Sequence, residues 1–94
     1  MSSTTAGPAG PIEQIDFSTH VLSLASSAMV SLGRVPDPDG TKHPLDLETA
    51  RHLIDVIAML EVKTRGNLDE SELRLLQSLL YDLRVAFVDA GKQP

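Results

Sequence analysis

The sequence predicts an all-α fold: a small three-helix protein with an antiparallel hairpin of helices two and three, completed by oligomerisation. Apolar residues recur at three- and four-residue spacing in three segments, glycine and proline fall between these segments, and no alternating strand pattern occurs. A length of 94 residues suits one domain. We expect a flexible tail over residues 1–15, a helical domain over residues 16–90 and a C-terminal tail over residues 91–94.

The first predicted helix covers residues 17–32, with Asp16 as its N-cap and Gly33 as its stop signal. It contains no Asp, Glu, Lys or Arg, and serines lie opposite its apolar stripe. Small hydroxyl side chains let two helices approach closely, so we expect this helix to be buried or self-associating; the alternative is a serine face in water. The interface candidates are Phe17, Val21, Ser23, Leu24, Ser27, Ala28 and Ser31.

The second predicted helix follows a loop over residues 34–44 that holds three prolines and a glycine. Asp46 caps this helix, which we expect over residues 47–65, and Gly66 is suited to the left-handed conformation that ends it. Its apolar residues share one face, as in an amphipathic helix that packs against a core.

The third predicted helix covers residues 70–89 and opens with Asp69 and Glu72, the spacing of a capping box. Only residues 66–68 connect it to the second helix. A connection this short predicts an antiparallel hairpin of the two helices.

A second apolar stripe on the third helix predicts association with another molecule. Tyr81, Val85 and Val88 follow the i, i+4, i+7 spacing of one helix face, outside the stripe that would face the core. About 80 residues remain to fold, close to the size at which a single core becomes marginal. We therefore expect a homo-oligomer, with these three residues as further interface candidates.

Composition disfavours several classes of function. The chain has no cysteine, which excludes disulfides and thiolate zinc sites. Its net charge is −5, with basic residues spread among more numerous acids, so we expect no direct binding to nucleic acid. The first fifteen residues lack Lys, Arg and an apolar core, and no segment has the apolar length of a span, so we expect a cytoplasmic protein without a membrane partner.

Patterns that could carry chemistry are few. His52 has Glu48 and Asp55 on the same helix side, a metal-compatible arrangement that more commonly reflects solvated neighbours. Asp37 and Asp39 fit part of a calcium-loop register, but the first ligand position lacks an oxygen side chain and prolines stiffen the loop. We therefore predict no catalytic residue, metal or cofactor, and a protein that is not an enzyme.

Asp55 and Arg84 form the one predicted polar cluster between helices. In an antiparallel hairpin Arg84 lies level with the middle of the second helix, so we expect a salt bridge of Asp55 with Arg84 or Arg51. The competing hypothesis is a small enzyme or ligand-binding protein. Its polar cleft between helices two and three would hold His52, Asp55, Tyr81 and Arg84.

Several runs of the sequence are similar to a known family. They are Asp16-Phe-Ser, Leu24-Ala-Ser-Ser-Ala, Leu32-Gly, Ile54-Asp55, Lys63-Thr-Arg-Gly-Asn-Leu and Leu80-Tyr-Asp-Leu-Arg. From Asp16 to Val88 the chain resembles an uncharacterised bacterial family, domain of unknown function 1844. The resemblance implies a small bacterial helical protein and no activity or cofactor that can be assigned to a residue.

The function that the sequence favours is a homo-oligomeric protein-interaction module, an adaptor or regulator that binds through its helix faces. Its expected partners are a second copy of itself and an unidentified protein. Association with the translation or transcription machinery is a third possibility, and it would require a protein contact or a basic patch formed on assembly.

Overall fold

A computed structural model describes residues 16–40 and 44–92 of the chain. These residues form three helices, α1 (Phe17–Ser31), α2 (Leu47–Lys63) and α3 (Glu70–Gly91), and no strand, so the all-α prediction is confirmed. Each helix begins at the predicted residue and ends within two residues of the predicted end. Helix α3 reaches Gly91, a residue of the predicted C-terminal tail. The predicted flexible tail over residues 1–15 lies outside the described residues.

An aspartate caps each helix, as the sequence predicted. Each carboxylate accepts a hydrogen bond from a backbone N–H three residues later: Thr19 to Asp16 at 2.7 Å, Thr49 to Asp46 at 3.0 Å and Glu72 to Asp69 at 2.8 Å. These backbone hydrogen bonds stabilise the ionised carboxylates and therefore lower the pKa of all three caps, with side-chain hydroxyl bonds adding to the effect. At α3 the Glu72 carboxylate also accepts from the Asp69 backbone at 2.9 Å, which completes the predicted capping box.

Glycines end the first two helices in the left-handed conformation, with φ of +74° at Gly33 and +88° at Gly66. At the end of α1 the Gly33 N–H donates to the Val30 carbonyl at 3.0 Å, and the Arg34 N–H donates to the Met29 carbonyl at 2.9 Å. This pair of bonds is the Schellman motif, which satisfies two carbonyls that the helix leaves unpaired.

One apolar core joins the three helices, and every pair of helices is in contact. No polar or charged side chain is buried in the part of the chain that the structure describes. The buried residues are Val21, Ala25, Ala28, Leu32, Ala50, Ile54, Ile57, Leu76, Leu80, Leu83, Ala86 and Ala90. A single chain thus encloses a core of its own, and completion by oligomerisation stays a prediction.

The antiparallel hairpin of α2 and α3 also stays a prediction, which two surface depressions support. Arg51 and Ile54, in the first half of α2, line one depression with Arg84 from the second half of α3. Glu61, near the end of α2, lines another with Leu73 from the start of α3. An antiparallel pair of helices would bring both of these sets of lining residues together.

Candidate functional site

The largest exposed apolar side chain of α3 is Tyr81, at 69% exposure, and it lies in line with Val85 and Val88 at 44% and 53%. We call these three residues the outer stripe. They share one face of the helix, because residues separated by four and seven positions lie on the same side, and the buried Leu83 and Ala90 lie on the other side. The outer stripe predicted from the sequence is thus present at the surface of the chain.

A groove between α1 and α3 extends the outer stripe towards the end of α1. Its volume is about 480 Å³, and Met29 from α1 lines it together with Tyr81 and Val85. The Arg34 guanidinium lies 3.5 Å from the Asp89 carboxylate in the same groove, and both side chains are about half exposed. Apolar surface beside an ion pair resembles a protein-binding surface with a polar rim.

The apolar face of α1 serves the core of its own chain. Val21 and Ala28 are 0% exposed and belong to the core that α1 shares with α2 and α3, so their contact with a second molecule stays a prediction that this burial does not support. Phe17 and Leu24 are partly buried and pack against the same core.

The serines of α1 differ in their exposure to solvent. Ser23 and Ser27 are exposed, whereas Ser31 is partly buried. The Ser23 hydroxyl donates to the Thr19 carbonyl at 3.1 Å, a local bond that satisfies it without a partner helix. These serines remain interface candidates but do not form a continuous apolar surface.

Leu22 is a surface residue that sequence reasoning missed. Leu22 is 44% exposed. Each helical residue is rotated by about 100° from the one before it, so Leu22 lies well to the side of the buried Val21. This rotation is the feature of the sequence from which the exposure of Leu22 could have been predicted.

A separate depression lies between α2 and α3, with a volume of about 270 Å³. We call it the α2–α3 depression, and its lining residues are Arg51, Ile54, Asp55, Arg84, Phe87 and Val88. Of the two partners predicted for Asp55, Arg51 is the one observed, with its Nε 4.0 Å from the Asp55 carboxylate. Both side chains are more than two thirds exposed, so this pair contributes about 0–1 kcal/mol.

The four-residue cleft of the competing hypothesis is not formed as predicted. Asp55 and Arg84 line the α2–α3 depression, but His52 and Tyr81 do not. Tyr81 instead lines the groove on the α1 side of α3. Helix rotation separates these side chains, and sequence spacing alone does not determine how two helices face each other.

Among the residues that the structure describes, no three His, Asp or Glu side chains come together as a possible metal site. The predicted grouping of His52 with Glu48 and Asp55 is therefore not observed as such a cluster. In these same ranges, no helix combines the length and apolar character needed to cross a membrane.

Comparison with known proteins identifies a family. The family model described as "Domain of unknown function (DUF1844)" matches residues 14–89. This span includes α1, α2 and nearly all of α3, and it confirms the family resemblance seen in the sequence. No curated protein and no solved structure matches the chain.

Proposed function

The chain belongs to the family of domain of unknown function 1844, and for this member we propose a homo-oligomeric protein-interaction module that associates through the outer stripe of α3. One observation carries the proposal: Tyr81, Val85 and Val88 form a row of exposed apolar side chains on a helix whose opposite face is already buried. The row is not needed for the core of its own chain.

The chemistry of the outer stripe suits an interface. Tyrosine is enriched at protein interfaces because it combines a large apolar ring with a hydroxyl that can bond at the rim. Tyr81 is 69% exposed. Removing this surface from water would favour association by roughly 3 kcal/mol, at about 25 cal/mol per Å² of apolar area. Val85 and Val88 are β-branched, so little side-chain freedom is lost when they are buried.

A stable dimer requires more buried area than the outer stripe supplies, so we include the neighbouring groove in the proposed interface. A specific interface buries at least about 1,000 Å², more than three side chains supply. The groove lined by Met29 continues the apolar surface from Val85 towards α1. We therefore propose that α3 of a second copy lies across the outer stripe and this groove.

A further protein partner, and hence an adaptor or regulator role, forms part of the proposal. Leu22, Met59 and Val62 are exposed at 44%, 48% and 56% and lie on helices other than α3. They supply apolar surface that a different protein could cover. A bacterial origin, a cytoplasmic location and a non-catalytic role rest on the sequence-based expectations alone.

Molar mass measured by light scattering after size exclusion tests this assignment of the interface. The wild-type chain should elute with a mass above the 10.1 kDa of one chain, and Tyr81→Gln should shift it towards 10.1 kDa. Met59→Gln is the matched control, since it also replaces an exposed apolar helical residue with glutamine. Equal masses for wild type and Tyr81→Gln would show that the outer stripe is not part of an interface.

A further inference from the structure

We propose that the α2–α3 depression binds a small amphipathic carboxylate, meaning an apolar body that carries a single carboxylate group. This inference does not require the self-association proposed above, although Val88 belongs to both surfaces. It rests on two arginine residues and apolar residues that line one depression, on a chain whose net charge is −5.

The floor of the depression is apolar. Ile54 is 7% exposed and belongs to the core, and the partly buried Phe87 packs against that core from α3. Val88 adds apolar surface at the edge. An aliphatic chain or a ring lying on these side chains would leave water, which favours binding in proportion to the apolar area covered.

Two arginines from different helices supply the positive charge. Arg84 makes no hydrogen bond or ion pair with any residue in the described ranges, and Arg51 has only the 4.0 Å contact with Asp55. Both guanidinium groups are therefore available to an incoming anion. A guanidinium binds a carboxylate through two parallel N–H bonds, and this geometry favours a planar carboxylate.

The local charge favours one negative charge on the ligand. Two arginines and Asp55 give the lining a net charge of +1, from +2 and −1. A carboxylate neutralises this charge, whereas a phosphate dianion would leave excess negative charge beside Asp55.

The volume limits the apolar body. At about 270 Å³ the depression lies just below the usual range for small-molecule pockets, roughly 300–1,000 Å³. It therefore suits an aliphatic chain of moderate length or one apolar side chain. Two sources share this chemistry: a free carboxylic acid, and the carboxyl end of a peptide whose last residue is apolar.

NMR titration of the full chain, labelled with ¹⁵N, tests the inference with octanoate as the probe and 1-octanol as its uncharged counterpart. Octanoate should shift the amide signals of Ile54, Arg84 and Phe87, and octanol should shift them much less. Arg84→Gln should weaken octanoate binding by roughly tenfold or more, because a charge-assisted contact is lost. A second arm uses acetyl-Ala-Ala-Leu with a free or an amidated carboxyl end.

Two variants serve as controls. Arg74→Gln removes another exposed arginine of α3, which pairs with Glu70 at 3.2 Å outside the depression, and it should bind octanoate as the wild type does. Tyr81→Gln should lose self-association yet keep octanoate binding, since Tyr81 does not line the depression. The two proposals can thus fail separately.

Each outcome of the titration either supports or overturns the proposed carboxylate site. Binding of octanoate, of the free-acid peptide or of both supports the shared chemistry and identifies its source. The inference is overturned if neither acid binds, if octanol binds as well as octanoate, or if Arg84→Gln binds as tightly as the wild type.

Discussion

Leu80 and Tyr81 are consecutive residues of α3 with exposures of 2% and 69%, because each helical residue is rotated by about 100° from the one before it. Leu80 belongs to the core shared by the three helices, and Tyr81 begins the outer stripe. One helix thus presents apolar side chains both to its own chain and to solvent, and this doubled apolar character is the basis of the proposed association.

The two residues should respond differently to substitution. Leu80→Ala should lower the free energy of unfolding by about 2–5 kcal/mol, because it leaves a cavity in the core. Tyr81→Gln should change the free energy of unfolding of the single chain by no more than about 0.5 kcal/mol. Urea unfolding at high dilution, where association is minimal, measures both values. A large loss for Tyr81→Gln under these conditions would mean that Tyr81 stabilises the chain's own fold.

Gly66 should resist replacement by alanine, whereas Gly91 should not. Gly66 has a φ of +88°, and the space around it is open, so the penalty for Gly66→Ala arises from the backbone conformation: roughly 1–2 kcal/mol. Gly91 has an ordinary helical backbone in the last turn of α3 and equally open surroundings. Gly91→Ala should leave stability unchanged or raise it by a few tenths of a kcal/mol. Thermal unfolding followed by circular dichroism compares the two, and equal effects would contradict the assigned conformation at Gly66.

The three capping aspartates should make the fold sensitive to acid. Each has a folded-state pKa below the ordinary value of 3.8, because backbone N–H groups bind the ionised form. Their contribution to the stability of the fold is therefore fully present above pH 3.8, and it is lost as the pH falls through the lowered pKa values of the folded state. The melting temperature should fall by several degrees from pH 6 to about pH 2.

Asparagine can cap a helix but does not titrate in this range, which provides the test of the acid prediction. Replacing Asp16, Asp46 and Asp69 together with Asn should reduce the fall in melting temperature between the two pH values. Asp82→Asn is the control, because Asp82 lies in the middle of α3, away from any helix start. An unchanged pH dependence in the triple variant would show that the caps do not cause the acid sensitivity.

Local chemistry explains why the helix boundaries could be predicted. A cap such as Asp69 with Glu72, or a stop such as Gly66, acts within a few residues, so its effect can be read from the sequence. Apolar periodicity likewise predicted that the face of Val21 would be buried. It could not predict what would cover that face, and the cover proved to be the chain's own helices.

Relations between helices could not be predicted in the same detail. Asp55 and Arg84 do line one depression, but Tyr81 lies in the groove beside α1, because the rotation of each helix about its axis depends on packing. The hairpin prediction placed Arg84 level with Asp55, but it did not predict that Ile54 and Phe87 would line the same depression. Arg51 and Arg84 are 33 positions apart, and only the packing of α2 against α3 brings them together.

The measurement that tests the central claim most directly is sedimentation equilibrium of the wild-type chain over a rising concentration series. Association through an exposed face predicts an apparent molar mass that increases with concentration, from 10.1 kDa towards a multiple of that value. A mass that stays at 10.1 kDa over the whole series would contradict the account, because the outer stripe would then remain in water on a solitary chain.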